Sequence, residues 1–394
     1  MLKRALDDSY PEETRRHIGA LTLARLTTNA CFRFAPPFFA SISDSLHVSL
    51  GRLGVAFMIT EIVVGLMSLA GGLVDRMNRR TAMVVGLSGV SGATVLAAAS
   101  QHIVLFAVGV TVLGVAKSVF DMGLNAWVND HVDYARRGRV VGIVETSWAL
   151  GLLIGVSLMG LVAAAASWRW GYVFGAVAVA TMAVVLTARL DGRDESRRHD
   201  TSRSVSSPMP RSGLLVVATM GFLMAASQSI FVTFGSWLED EFDFSAAAIA
   251  GVVFGLGAFE LVASVTSSRR ADQWGKERST IVGALLIVPS GLLLALLHGH
   301  VVPGLVLLGT YLLGFEFSIV CLLPVATNMM PNSPAKGLGF TYTGGMLGRA
   351  SMSVIATAAY ESFGVAAPAI IGAGSALCAV GCIATYRRTT SQPR

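Results

Sequence analysis

Twelve long apolar runs dominate this sequence and limit what the chain can fold into. Each run has about 20 mostly apolar residues, the length that a helix needs to cross a bilayer core. Of all residues, 53% are hydrophobic and 14% are charged, whereas a soluble domain has about 25% charged residues. We therefore predict an all-α membrane protein with twelve transmembrane helices. The runs cover residues 18–40, 50–74, 81–100, 103–127, 140–165, 171–189, 213–237, 246–267, 280–298, 302–329, 339–360 and 365–385.

One long polar segment, residues 190–212, interrupts the series after the sixth run. It is rich in Arg and Ser and has no apolar periodicity, which is typical of a linker. We therefore predict three parts. An N-terminal six-helix bundle covers residues 1–189, a cytoplasmic linker covers residues 190–212, and a C-terminal six-helix bundle covers residues 213–394.

The loops between the runs differ strongly in their basic residues. With a cytoplasmic N-terminus, nearly all loop Lys and Arg lie on the cytoplasmic side, and Arg52 and Arg169 lie opposite. Basic loops face the cytoplasm in membrane proteins. We expect a multi-pass protein of the cell (inner) membrane with both termini cytoplasmic. These loops also explain the net charge of +6. No nucleic-acid partner is expected, because no basic face with interleaved aromatic residues is present.

Two short patterns recur in the second half of the chain at nearly one offset. Asp75 follows the second run and Asp272 follows the eighth, 197 positions later. Gly138 and Gly337 follow the fourth and tenth runs, 199 positions apart. A shared offset indicates a duplicated six-helix unit, so we expect two pseudo-symmetric bundles related by an axis along the membrane normal.

The segment GGLVDRMNRR at residues 71–80 resembles the signature between helices 2 and 3 of the major facilitator superfamily. NAWVND at residues 125–130, followed by RRGR at residues 136–139, is similar to the family's helix 4–5 region. Asn78 stands where Gly is usual, and we expect it to preserve the turn because Asn tolerates the left-handed conformation. The resemblance implies the fold of that family and a monomeric secondary transporter that works by alternating access.

In that family the loop after helix 2 latches the two halves, and the latch breaks and reforms during transport. A topological anchor is the alternative, with the arginines bound to acidic side chains or to phosphates of membrane lipids. The resemblance assigns this gating loop to Gly71, Asp75, Arg76, Arg79 and Arg80, with Asp272 from the second copy.

Nine ionisable residues lie inside the predicted spans, where a charge costs at least about 2.5–3.5 kcal/mol. Each therefore needs a partner, a wet cavity or a function. All of them except Arg25 are our candidates for substrate binding or coupling. They are Arg25, Arg33, Glu61, Lys117, Asp121, Glu145, Glu260, Glu316 and Arg349.

The repeat offset of 199 places Lys117 and Glu316 at equivalent positions of helices 4 and 10. In the family these helices line the central cavity. We expect the two residues to bind substrate, or to form a pair that opens when substrate or a proton arrives. A static structural pair is the alternative. Asp121 competes for Lys117, because the two residues stand four apart on one helix.

The other candidates depend on helix packing known in the family. Glu61 on helix 2 and Arg349 on helix 11 can form a state-dependent pair between the halves. Glu145 and Glu260 lie on helices 5 and 8, where two close carboxylates would share a proton; separate acids with their own polar partners are the alternative. Arg33 precedes two prolines that kink helix 1. It either contacts substrate in the outer cavity mouth or snorkels to the interface.

Together these features predict a secondary active transporter of a small organic molecule, driven by protons or another coupling ion. We favour proton-coupled efflux of a drug or metabolite. Val156 stands where antiporters of the family often have Pro, so an uptake symporter or a uniporter is the alternative. A non-transporting receptor of the same fold is a third hypothesis. Neither enzyme motifs nor metal-ligand spacings are present, so we expect no enzyme activity, cofactor or metal.

Overall fold

The computed structural model describes residues 10–69, 77–133, 136–190, 209–330 and 333–391, and its regular structure over these residues is entirely helical. The helices are α1 (Glu12–Arg33), α2 (Phe39–Leu46), α3 (Leu50–Leu69), α4 (Arg79–Ala98), α5 (Ile103–His131), α6 (Arg137–Leu150), α7 (Ser157–Ala165), α8 (Trp168–Arg189), α9 (Gly213–Phe231), α10 (Phe234–Phe242), α11 (Ala246–Trp274), α12 (Lys276–Leu297), α13 (Val301–Asn328), α14 (Pro334–Phe363) and α15 (Ala366–Ser391).

Three of the predicted spans are interrupted helices. The first divides at a 3₁₀ turn, Pro36–Phe38, between α1 and α2. Its prolines account for the break, because the ring removes a backbone donor and clashes with the preceding turn. The fifth span divides at a π-helical stretch, Gly151–Val156, between α6 and α7. The seventh divides between α9 and α10. The other nine predicted spans each correspond to one helix.

Within the described residues, ten helices or helix pairs are long and apolar enough to cross a membrane. The predicted spans outside this set are the first, formed by α1 and α2, and the eleventh, formed by α14. Both contain buried charged side chains, among them Arg25 and Arg349. These two more polar spans complete the twelve-helix membrane fold that the sequence predicts.

Contacts divide the chain into two compact units. The N-terminal unit consists of Met1–Ala35 and Ala70–Ser202, and the C-terminal unit consists of Pro36–Leu69 and Arg203–Arg394. Helices α2 and α3 belong to the C-terminal unit because α3 packs extensively along α14. This grouping describes packing and not the internal repeat, so the two bundles separated by residues 190–212 stay a prediction.

In the N-terminal unit, α4 packs between α5 and α8. Small residues allow this close approach. A β-carbon added at Gly86 of α4 would lie 2.6 Å from the backbone nitrogen of Phe120 on α5, and one added at Gly109 would lie 2.8 Å from that of Ala97. Helices in membranes associate through such small-residue contacts, because apolar side chains gain little by leaving lipid.

In the C-terminal unit, α14 lies between α3 and α9. On the α9 side, a β-carbon added at Gly348 would lie 2.0 Å from the carbonyl oxygen of Gly221. On the α3 side, one added at Gly54 would lie 2.4 Å from the carbonyl oxygen of Ser353. Both faces of α14 are thus in backbone contact with a neighbouring helix, which fixes the positions of its buried polar side chains.

We expect Gly348→Ala to lower the free energy of unfolding by about 1–3 kcal/mol, the usual cost of overpacking a closely packed site. The new methyl group would push α14 away from the Gly221 carbonyl. Gly339→Ala on the same helix is the matched control, because an added β-carbon there meets no atom within 4 Å. That control should be neutral or stabilising by up to about 1 kcal/mol through helix propensity. Thermal unfolding of both variants in detergent tests this, and equal melting temperatures would contradict it.

Candidate functional site

Four ionisable side chains meet in the N-terminal unit, and we call them the charge cluster: Arg25, Lys117, Asp121 and Glu145. The Nζ of Lys117 lies 2.5 Å from Oδ2 of Asp121. The Nε of Arg25 lies 3.3 Å from Oδ1 of the same carboxylate, and its Nη1 lies 2.8 Å from Oε1 of Glu145. Arg25 therefore bridges two carboxylates from different helices.

The arrangement of three helices explains why these four side chains meet. Lys117 and Asp121 stand one turn apart on α5, where residues at i and i+4 are neighbours. Glu145 lies on α6. Helix α1 packs against both α5 and α6, so Arg25, at the middle of α1, reaches an acid on each. Its planar guanidinium has donors in several directions, which suits it to bridging better than a lysine.

The charge cluster contains two positive and two negative groups, so its formal charge sums to zero. Mutual attraction within the low-dielectric interior offsets part of the cost of removing each charge from water. Exposure is uneven across the cluster. The side chains of Arg25 and Lys117 are 10% exposed, whereas that of Glu145 is 33% exposed. Glu145 is therefore the least buried of these three side chains.

Arg33 lies two turns beyond Arg25 on α1 and is also buried. Its guanidinium carbon lies 4.4 Å from the centre of the Trp148 ring, and its Nη1 donates to the Trp148 carbonyl oxygen at 3.1 Å. Stacking of this kind is a favourable cation–π contact. Arg33 is thus buried against Trp148, and its contact with substrate or its snorkelling to the interface stays a prediction. The Nζ of Lys117 similarly lies 5.7 Å from the centre of the Phe32 ring.

The π-helical stretch Gly151–Val156 follows directly after α6 and packs against α1. A β-carbon added at Gly155 would lie 2.4 Å from the β-carbon of Ala30. Next to this contact, the Nδ2 of Asn29 donates to Oγ of Ser147 at 3.3 Å. Because π-helical turns are frequent at functional sites, the stretch marks this part of the α1–α6 contact as a place where helix geometry is adapted.

A second buried ion pair lies in the C-terminal unit, where α3 meets α14. The Nε and Nη2 of Arg349 each lie 2.8 Å from Oε1 of Glu61. Glu61 is 0% exposed and Arg349 is 7% exposed. The structure thus brings together the two residues that the sequence pairs on helices 2 and 11. The opening and closing of this ion pair with the transport state stays a prediction.

Glu260 on α11 and Glu316 on α13 are both buried in the C-terminal unit. Lys117 has the local partner Asp121, and Glu145 has the partner Arg25. Glu145 thus has its own polar partner, which is the alternative that the sequence leaves open for it. The pairing of Lys117 with Glu316 and the sharing of a proton by Glu145 and Glu260 stay predictions.

Part of the predicted gating loop, namely Gly71, Asp75 and Arg76, lies outside the described residues, and so does the side chain of Asp272. The described residues of the loop, Arg79 and Arg80, form their contacts within the N-terminal unit. The Nε of Arg79 lies 2.9 Å from Oδ2 of Asp130 at the end of α5, and Arg80 donates to the carbonyl oxygen of Thr187. Arg79 thus joins the two segments whose sequences carry the family resemblance.

Asn78 differs from the expectation of a left-handed turn residue. Its φ of −60° and ψ of 137° are extended, and it is the N-cap of α4. Its side-chain oxygen accepts a hydrogen bond from the backbone N–H of Arg80 at 2.9 Å. Asn is among the preferred N-cap residues because it satisfies a donor that the first helical turn leaves free. Asn78 therefore replaces Gly through capping and not through a positive φ.

Arg25 is the functional candidate that the sequence analysis left out. The sequence marks it as an intramembrane charge, but its partners Asp121 and Glu145 lie far along the chain on other helices. Trp148 is likewise visible only as an aromatic residue of an apolar run until Arg33 is seen to stack on it. Among the described residues, no group of three or more His, Cys, Asp and Glu could hold a metal ion.

The family model described as Major Facilitator Superfamily matches residues 21–351 of this chain. Multidrug resistance protein 1 of Bacillus subtilis (strain 168) is 25% identical over 342 residues, which cover 83% of this chain and 85% of the relative. The uncharacterized MFS-type transporter YwfA of the same organism is 26% identical over 301 residues and 68% of each chain.

Two solved structures show the same fold at low sequence identity. A bacterial homolog of the human lysosomal transporter Spinster, in an inward-facing and unoccupied conformation, matches with a TM-score of 0.76 and 12% identity. The match covers 97% of this chain and 99% of that one. The human organic anion transporter MFSD10 matches with a TM-score of 0.67 and 18% identity, over 95% of this chain and 100% of that one.

Proposed function

Because this chain belongs to the Major Facilitator Superfamily, we propose that it is a secondary transporter that exports a small organic molecule in exchange for protons. It is a multi-pass membrane protein, and the family and fold are those of transporters and not of enzymes. Two multidrug resistance proteins of Bacillus subtilis among its relatives support export. We further propose that it works as a monomer. Its basic loops support a location of both termini in the cytoplasm.

The observation that carries this proposal is the charge cluster of the N-terminal unit. An ionisable residue inside a membrane helix is a functional candidate by default, because the bilayer makes it costly. Here four such residues form one connected group, and its acid Glu145 is partly exposed although it lies in a predicted span.

The chemistry of the cluster favours a substrate with polar or charged groups. A cationic group of a substrate competes with Arg25 for Glu145, and an anionic group competes with Glu145 for Arg25. Either exchange replaces one ion pair by another, so the substrate enters without leaving a charge unpaired. The nearby rings of Trp148 and Phe32 add aromatic surface for the apolar part of a small organic molecule.

The second candidate is symport, in which the substrate is taken up together with protons. Val156, at the end of the π-helical stretch, stands where antiporters of the family often have Pro. The two candidates use the same site and differ in the direction of flux relative to the proton gradient, so one assay separates them.

The test is flux of labelled organic compounds in proteoliposomes with an imposed pH gradient. We expect the compound to move in the direction opposite to that of the protons. In Glu145→Gln and in Lys117→Ala we expect this flux to fall at least about tenfold, equivalent to about 1.4 kcal/mol. Arg52→Gln is the matched control, because Arg52 is exposed at the start of α3 and lies outside the cluster. Flux in the same direction as protons would support uptake. Flux that is unchanged in both cluster variants would overturn the assigned site.

A further inference from the structure

The ion pair between Glu61 and Arg349 leaves one buried carboxylate oxygen bare. The Nε of Arg349 donates a hydrogen bond to Oε1 of Glu61 at 2.8 Å, and the ion-pair contact of Nη2, also at 2.8 Å, is with the same oxygen. Oε2 is shielded from solvent and has no hydrogen-bond partner. Within the described residues it is the one shielded carboxylate oxygen without a donor. A two-point Arg–carboxylate contact normally uses both oxygens, so the pair is formed in an incomplete geometry.

Asp121 shows the contrasting arrangement in the same protein. Its Oδ1 faces Arg25 and its Oδ2 faces Lys117, so each oxygen has a cation of its own. Two cations therefore share that carboxylate. Glu61 has one cation on one oxygen, and the second oxygen is available to take a proton.

We propose that Glu61 binds a proton at Oε2, and that this proton weakens the hold of α14 on α3. An unsatisfied buried anionic oxygen is costly, and a proton at Oε2 neutralises its charge. The attraction to Arg349 then falls from that between two charges to that between a charge and a dipole. The proton comes from hydronium: the O–H bond at Oε2 forms as an O–H bond of hydronium breaks, and a water molecule is left.

The charge of Glu61 matters for the contact between α3 and α14 because of the ionisable groups around it. The elements packed most closely on α3 are α14 and α2. Their ionisable side chains are Lys336, Tyr342, Arg349, Tyr360 and Glu361 on α14 and Asp44 on α2. Of these, Arg349 is bonded to Glu61. Glu361 accepts a hydrogen bond from the backbone N–H of Gly51, ten residues or about 15 Å along α3.

The rest of the α3–α14 contact is close packing without a second ion pair among the described residues. Glycines at positions 54 and 65 of α3 face Thr357 and Met346 of α14. The ion pair of Glu61 and Arg349 lies within this packed contact, so its loss would weaken the hold of α14 on α3. The last step of this inference, that the proton on Glu61 is the coupling ion for transport, rests on the proposed function.

Infrared difference spectra between acid and alkaline pH test proton binding directly, with the full-length protein in lipid nanodiscs. We expect a carbonyl band of a protonated carboxyl at acid pH that is lost in Glu61→Gln and shifted in Glu61→Asp. Glu361→Gln is the matched control and should retain the band. Wild-type spectra identical to those of both Glu61 variants would overturn the proton site.

Spin labels on α3 and α14 test the loosening. Leu66 and Leu347 are 61% and 56% exposed, so cysteines there carry labels without disturbing the packing, once the four native cysteines are replaced. We expect acid pH to add a population at longer distance, and Glu61→Gln to show that population at every pH. A single distance that is unchanged by pH and by the variant would overturn the loosening.

Flux measured on the same variants separates this inference from the proposed function. Proton-driven flux without a Glu61 band would overturn the proton site and leave the transport proposal standing. A Glu61 band and a distance change, with flux that ignores the pH gradient, would support the proton site and overturn proton coupling. A band, a distance change and proton-driven flux lost in Glu61→Gln would support both.

Discussion

Glu61→Met or Arg349→Met alone is expected to lower the free energy of unfolding by about 3–5 kcal/mol, because removing one partner breaks a buried ion pair. Glu61 is 0% exposed and Arg349 is 7% exposed, so solvent screens this ion pair little. The double replacement Glu61→Met with Arg349→Met should recover most of this loss, since buried ion pairs are often no more stabilising than apolar side chains of similar volume. Unfolding of the three variants in detergent forms a double-mutant cycle.

Transport by the double variant then separates structure from function. If the pair serves only to hold α14 on α3, the stable double variant should transport as the wild type does. We expect instead a folded protein whose flux no longer follows the pH gradient, because the proton-binding group is gone. A double variant with the stability loss of both single variants combined would contradict the buried pair as the source of the effect.

Arg25→Met is expected to reduce flux by about a hundredfold, equivalent to about 2.7 kcal/mol. The change leaves Glu145 without its partner and removes one of the two cations from Asp121. Asp121 retains Lys117, so we expect the protein to fold with a smaller loss of stability than the Glu61 variants. Proteoliposome flux at matched protein content measures the effect.

The conservative change Arg25→Lys distinguishes the bridging role of Arg25 from its charge. A lysine keeps the positive charge but has one donor group at the end of a flexible chain, so it serves one carboxylate at a time. Flux between those of the wild type and Arg25→Met is expected. Arg16→Met is the matched control, because Arg16 is exposed on the same helix. Wild-type flux in Arg25→Met would show that the charge cluster is not part of the transport site.

The sequence predicts the helices well because the bilayer restricts the choices. In lipid each backbone polar group must be satisfied inside its own helix, so a long apolar run is expected to form a transmembrane helix. Even the break of the first span at Pro36 follows from its missing donor. The π-helical stretch Gly151–Val156 has no comparable signal. It coincides with the close contact of Gly151 and Gly155 with α1, which residues far apart in the chain form.

Local spacing likewise predicts part of the charge cluster. Lys117 and Asp121 stand four apart on one helix, which is sufficient to foresee their pair. The pair of Glu61 and Arg349 follows from the family resemblance, which places their helices side by side. The capping role of Asn78 is different, since it depends on the backbone angles at the start of α4. A residue type tolerated in two conformations does not reveal which of them is used.

The sequence by itself determined the membrane location, the twelve helices, the family and the set of intramembrane charges. The tertiary structure alone decided which of these charges meet. It made Arg25 the bridge between Asp121 and Glu145, and it left Oε2 of Glu61 without a donor. The physical reason is one of range. Apolarity and helix periodicity act over neighbouring residues, whereas an ion pair depends on the rotation and spacing of helices whose residues are far apart in the chain.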